Sequence, residues 1–166
     1  NFKQYEGIKK IIKKNNKIYF NFNDNFSIVK NNIIKDIKKK SFGKTIYIDF
    51  SYSNGISRKK TMKDNWRFNS QNIFNQILGN LGIHYIFFLI VNFGKPLKIF
   101  KKKYSIYKNN DTAFIFLQFK NLYSTIHLSY SSCTRDEITL KQQNNITKII
   151  NGQYFRFKAY LTGDGT

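Results

Sequence analysis

The chain has 166 residues, enough for one domain with its own core and short for two. Its 29 Lys and Arg against 9 Asp and Glu leave a formal net charge of +20, which favours a polyanionic partner, nucleic acid first and an anionic membrane surface second. The single cysteine, Cys133, excludes an internal disulfide and a cysteine-rich metal site, and the longest apolar run, 83–93, falls short of the ~20 residues of a membrane span. Asn, Lys, Ile, Phe and Tyr are the residues of A/T-rich codons. Drift toward such codons would also supply glutamate, yet Glu6 and Glu137 are the only two, so the positive excess belongs to the protein. The start, NFKQYEGIKK, lacks the look of a transit peptide; a gene inside an organelle, or a presequence already removed, is the expectation.

In chain order, residues 1–16 read as a basic N-terminal arm with Lys9, Lys10, Lys13 and Lys14 in solvent. Residues 17–141 read as a single α/β RNA-binding domain and 142–166 as a C-terminal extension. Ile18, Phe20 and Phe22 alternate toward the turn Asn23-Asp24-Asn25, and Phe26, Ile28 and Val29 begin a returning strand. Ile46, Ile48, Phe50 and Tyr52 alternate in a third strand, completing an antiparallel meander. Ile73, Phe74, Ile77, Leu78 and Leu81 recur at helical spacing and stop at Gly82. The nearly unbroken apolar run from His84 to Val91 then suits a strand covered on both faces. After Phe93-Gly94-Lys95-Pro96, the spacing of Leu97, Phe100 and Tyr104 predicts a short amphipathic helix. Ala113–Phe119 and Tyr123–Tyr130 read as strands, and Ile149, Ile150, Tyr154, Phe155 and Phe157 as a small appended hairpin.

Two basic clusters stand out. Arg58, Lys59, Lys60, Lys63 and Arg67 sit beside a helix entrance, where backbone amides also favour phosphate, and Trp66 could stack on a base. Lys95, Lys98, Lys101, Lys102 and Lys103 follow the end of the buried strand. Asp49 lies mid-strand, but nine acidic residues make a metal-binding carboxylate cluster a poor expectation. His84 and His127 read as structural, Cys133 has no histidine at a suggestive spacing, and neither GxxxxGK[ST] nor GxGxxG occurs.

The stretches Phe22-Asn23-Asp24-Asn25-Phe26-Ser27-Ile28-Val29, Gly55-Ile56-Ser57-Arg58-Lys59-Lys60-Thr61, Gly82-Ile83, Phe93-Gly94-Lys95-Pro96 and Ser132-Cys133-Thr134-Arg135 together resemble the small-subunit ribosomal protein eleven family, in a divergent organellar form. The resemblance covers roughly residues 17 to 141. It implies an RNase-H-like α/β fold of the platform-protein type, a mixed sheet with an antiparallel meander, two helices and basic loops, and no catalysis. It further implies a structural role in a mitochondrial small ribosomal subunit in the matrix. The partners would be rRNA and neighbouring small-subunit proteins, with no membrane and no small-molecule substrate. The RNA-binding residues would be those of the two basic clusters together with Arg135, and no cofactor is expected beyond Mg²⁺ carried by the rRNA. The alternatives are a Mg²⁺-dependent nuclease of RNase-H type using Asp49, and a basic accessory subunit of an organellar membrane complex.

Overall fold

The computed structural model describes residues 27–55, 77–104 and 111–158. Helix α1 spans Ile28–Lys38 and β1 spans Thr45–Ser53. A five-residue π-helical segment, Leu78–Gly82, runs without a break into helix α2, Ile83–Phe93. Six further strands follow: β2 Lys98–Tyr104, β3 Thr112–Gln118, β4 Tyr123–Ser129, β5 Arg135–Gln142, β6 Asn145–Ile150 and β7 Gln153–Lys158. They form one sheet of order β2-β3-β4-β1-β5-β6-β7. Strand β1 lies at its centre, parallel to β4 and antiparallel to β5.

The expected strand over Phe26, Ile28 and Val29 is instead the start of α1. Ser27 has extended geometry (φ −64°, ψ 148°) and its hydroxyl accepts from the Lys30 amide at 3.3 Å, an N-cap that satisfies one of the helix's orphan donors. Val29, Ile33 and Ile37 recur every four residues toward the core, and Lys35 and Lys38 complement the dipole of the last turn. The meander therefore loses its second strand, and its first, at 17–23, lies outside the described residues.

The apolar run from His84 to Val91 is also helical rather than a strand. Gly82 keeps helical geometry (φ −61°, ψ −32°) and so does not end the helix. A nearly continuous apolar run does not distinguish a buried strand from a buried helix, and here packing decides. Phe88 and Leu89 are buried, Tyr85 and Ile86 half-buried, and Ile83, Phe87, Ile90 and Val91 exposed. Gly94 ends the helix with φ +80°, its amide donating to the Ile90 carbonyl at 2.9 Å. The short helix expected over Leu97, Phe100 and Tyr104 is strand β2, paired with β3 from Lys98 opposite Gln118 to Tyr104 opposite Thr112.

Both helices cover the same face of the sheet. Ile48 and Phe50 of β1, Ile126 and Leu128 of β4, Ala113, Ile115 and Leu117 of β3, Ile138 and Leu140 of β5 and Ile149 of β6 bury with Ile33 of α1, Phe88 and Leu89 of α2, and Ile77 just before the π-helical segment. The opposite face carries Tyr47, Asp49, Thr125, Phe116 and Tyr123, and no helix among the described residues covers it. At its centre Asp49 accepts hydrogen bonds from Thr125 and from Tyr47, the latter at 3.4 Å. Burial raises the Tyr47 phenol above its usual range; the Thr125 hydrogen bond offsets part of this, and the Asp49 charge adds to the rise.

The hairpin expected near the C-terminus is built as β6 and β7 and extends the main sheet beyond β5. Asn151 (φ +48°) and Gly152 (φ +81°) both lie in the left-handed region, the geometry of a two-residue hairpin turn whose twist matches the strands. Strand β5 has no counterpart among the sequence-based expectations. Its Arg135 and Glu137 pair with each other at 2.7 Å on the solvent side.

Candidate functional site

A cavity of about 400 Å³ opens between the N-terminal turn of α1, the end of β1, the N-terminal half of α2, the start of β5 and the β6–β7 turn. Its chemistry comes from Ser27, Lys30, Tyr52, His84, Tyr85 and Asp136, and its apolar floor from Val29, Leu81, Ile138 and Ile149. The volume falls in the range of small-molecule sites, and the mixture of a few polar groups on an apolar floor is what such sites use to orient a ligand.

Each polar group is held by the fold. Lys30 is only 5% exposed, and its ammonium lies 5.4 Å from the Tyr85 ring centroid and 5.7 Å from that of Phe88. Those ring faces attract the cation and hold the long side chain in one place. Tyr85 is in turn tilted against Phe50 at 5.0 Å, and Phe88 meets Phe50 edge-on at 5.9 Å. His84 and Tyr85 project from the turn that follows the π-helical segment. That segment is moored by Asn80, whose side-chain amide donates to the Tyr130 hydroxyl at 2.7 Å beyond the end of β4. Such π-helical insertions are frequent at functional sites. Asp136 stands beside the hairpin turn because the Asn151 amide donates to the Asp136 carbonyl at 2.8 Å.

A second buried network clamps α1 to the far strands. Asp36 accepts from Arg156 Nε and Nη2, both at 3.1 Å, and from Thr147 Oγ1 at 3.2 Å, while Gln142 donates to the Asp36 carbonyl at 3.0 Å. Tyr154 donates to the Val29 carbonyl at 2.5 Å. Burial, reinforced by the Asp36 charge and opposed by Arg156, pushes the Tyr154 phenol up to about 12.

The basic residues singled out in the sequence do not gather at this cavity. Arg58, Lys59, Lys60, Lys63 and Arg67 lie outside the described residues. Lys95 is exposed in the turn after α2, and Lys98, Lys101 and Lys102 are exposed on the edge strand β2, where charge discourages edge-to-edge pairing. Lys103 lies on the same strand, opposite Ala113. Arg135 begins β5 and is half-exposed. His84, read as structural, proves to line the cavity, and Ser27, Lys30, Tyr52, Tyr85 and Asp136 carried no sequence signal. The one available clue was that Leu81, Tyr85, Phe88 and Leu89 continue the helical spacing past Gly82.

Three solved structures show the same fold. Levoglucosan dehydrogenase, in complex with NADH and levoglucosan, matches with a TM-score of 0.71 at 12% identity, over 87% of this chain and 44% of its own. An NAD binding oxidoreductase from Klebsiella pneumoniae matches with a TM-score of 0.70 at 12% identity, over 82% of this chain and 42% of its own. The WlbA dehydrogenase from Bordetella pertussis, in complex with NADH and UDP-GlcNAcA, matches with a TM-score of 0.64 at 15% identity, over 81% of this chain and 45% of its own. The chain thus spans less than half the length of these structures. No curated protein matches it in sequence.

A dinucleotide does not fit the described residues. The site for one needs a strand, a glycine-rich turn and a helix N-terminus open to phosphate. The sequence has no GxGxxG, and a Cβ on Gly82, at the head of α2, would lie 3.4 Å from side-chain atoms of Leu128 and Leu78 rather than in open space. Gly82 is there for helix–sheet packing.

The family model of the GFO/IDH/MocA C-terminal domain matches residues 33–146, well over half of the chain. This match and the oxidoreductase neighbours overturn the resemblance to small-subunit ribosomal protein eleven and what it implied. A structural rRNA-binding role in a mitochondrial ribosome, the nuclease alternative, the absence of enzymatic activity, the absence of a cofactor and the absence of a small-molecule substrate are all corrected by it. The physical reason is visible in the fold. The segments that carried the resemblance, Ser27–Val29 and Gly82-Ile83, belong to helices rather than to strand junctions. The mixed α/β sheet with two helices among the described residues stands, but its match is not to an RNase-H-like platform protein. The chain belongs to the GFO/IDH/MocA C-terminal domain family.

Proposed function

We propose that this chain is the substrate-binding part of a nicotinamide-dependent oxidoreductase acting on a sugar or similar polyol, and that the cavity beside His84 receives the substrate. The observation that carries this reading is the convergence of His84, Lys30, Asp136, Tyr52 and Tyr85 on one cavity in a chain of this family. The solved relatives captured with levoglucosan and with UDP-GlcNAcA support a sugar as substrate class. In this reading the dinucleotide is held by polypeptide outside these 166 residues.

Within the cavity the side chains divide the work. Tyr85 and the apolar floor offer a flat surface for a ring's carbon face, and Asp136 and Ser27 offer acceptors for hydroxyl protons. His84 is the group placed to exchange a proton with a substrate hydroxyl.

The test is steady-state kinetics on the native protein that contains this chain, with NAD⁺ or NADP⁺ and a panel of sugars and nucleotide sugars. His84→Ala is expected to lower kcat by about 10²–10⁴-fold, the usual contribution of a general acid or base. An unchanged kcat on every accepted sugar contradicts the assignment.

A further inference from the structure

The side chains that the helix turns toward the sheet advance by five residues once and by α-helical steps afterwards. Ile77 and Gly82 are both buried, on either side of the π-helical turn, and the Ile83 amide reaches back five residues to the Leu78 carbonyl. From Gly82 the buried stripe then runs on to Leu89, two α-helical turns away. An uninterrupted α-helix would bring Leu81 to the sheet in place of Gly82. A Cβ at Gly82 already meets Leu128 and Leu78 at 3.4 Å, so a leucine there would have to displace them. With the additional residue in the turn, glycine meets the sheet, and Leu81, His84 and Tyr85 line the cavity.

That turn is tied to the sheet from outside the cavity. Asn80, in the middle of the segment, donates from its side-chain amide to the Tyr130 hydroxyl at 2.7 Å. Tyr130 is buried just beyond β4, and its own amide donates to the Asp111 carbonyl at 2.8 Å, beside the start of β3. The anchor is therefore as fixed as the strands that carry it, and neither Asn80 nor Tyr130 lines the cavity. We infer that Asn80 and Tyr130 are positioning residues for His84: their hydrogen bond holds the π-helical turn, and the turn aims the imidazole at the substrate. This rests on the cavity being the substrate site and on His84 exchanging the proton there, and it adds what directs that histidine.

The experiment is steady-state kinetics on the native protein that contains this chain, with the sugar it turns over fastest and with kcat referred to folded enzyme by circular dichroism. Tyr130→Phe and Asn80→Leu remove the hydrogen bond from either end. Each is expected to lower kcat about tenfold, within the ~10²-fold that a small misplacement of a reacting group can cost. The two together should do no more than either alone, since they break one bond. Asn80→Asp, whose carboxylate accepts from the Tyr130 hydroxyl, restores the contact with reversed polarity and is expected to keep most of kcat. In a His84→Ala background Tyr130→Phe is expected to have no further effect, which separates the aiming of His84 from a general loosening of the cavity. Full kcat in both single variants, or an undiminished effect of Tyr130→Phe once His84 is alanine, overturns the inference while leaving the substrate site standing. If His84→Ala itself leaves kcat unchanged, the reading of the cavity fails and the inference falls with it. Tyr130→Phe alone decides the matter if an Asn80 variant does not fold.

Discussion

Asp36 and Arg156 join α1 to the last strand of the sheet. The guanidinium meets the carboxylate through two nitrogens at 3.1 Å, the carboxylate almost buried and the guanidinium half-exposed. Because α1 carries Ser27 and Lys30 at its other end, this pair also fixes one wall of the cavity.

Asp36→Ala is therefore expected to cost about 2–3 kcal/mol, since it strips Arg156 and Thr147 of a shared acceptor that is itself almost wholly out of water. Urea unfolding monitored by circular dichroism measures it. A cost below about 0.5 kcal/mol, the scale of an exposed ion pair, would show that the clamp contributes nothing.

Tyr154 makes stability depend on alkaline pH. Its phenol titrates at about 12 in the fold against 10.0 when exposed, chiefly because of burial. A folded-state value raised in this way gives a contribution that is complete below pH 10.0 and lost as the pH rises toward about 12. Tyr154→Phe should flatten that window in pH-dependent unfolding, and ultraviolet titration should show one late phenolate fewer. Identical profiles for the two proteins would refute the placement.

Two glycines with positive φ should respond differently to alanine. At Gly43 (φ +74°) a Cβ would sit 2.8 Å from Gln143 Cβ, whereas at Gly94 (φ +80°) nothing lies within 4 Å. Gly94→Ala is expected to cost about 1 kcal/mol from backbone strain alone, and Gly43→Ala about 2 kcal/mol or more. Thermal unfolding of the pair checks the order, and a larger loss at Gly94 would contradict it.

Tyr130→Phe removes the hydroxyl that anchors Asn80. A loss of about 1 kcal/mol is expected, with shifts in the amide resonances of Leu81, His84 and Tyr85. Silence of those amides would mean the π-helical segment holds its place without the anchor.

Strands with one buried face are legible in the sequence. Thr45–Ser53, Thr112–Gln118 and Tyr123–Ser129 all alternate because β-sheet geometry sends neighbouring side chains to opposite faces. The elements misread were those whose local pattern served two periods at once. Ile28 and Val29 suit a strand until the Ser27 cap is counted, and the run after His84 suits either a strand or a helix. Strand β2 differs from the sequence reading for the opposite reason: as an edge strand it exposes Ile99, Phe100, Lys98, Lys101 and Lys102 alike, so its alternation is blurred. The cavity was not legible at all. Lys30, His84 and Asp136 are far apart in sequence, and nothing in a net charge of +20 separates Lys30, buried at the cavity, from the lysines exposed on the surface.

Binding of a small molecule in the cavity at His84 is tested most directly by an amide chemical-shift map of the chain with UDP-N-acetylglucosamine and, separately, with a short RNA. The nucleotide sugar is expected to move a contiguous set comprising Lys30, Leu81, His84, Tyr85, Asp136 and Ile138. A map in which the sugar moves none of these while the RNA moves Lys95, Lys98 and Lys102 would contradict it.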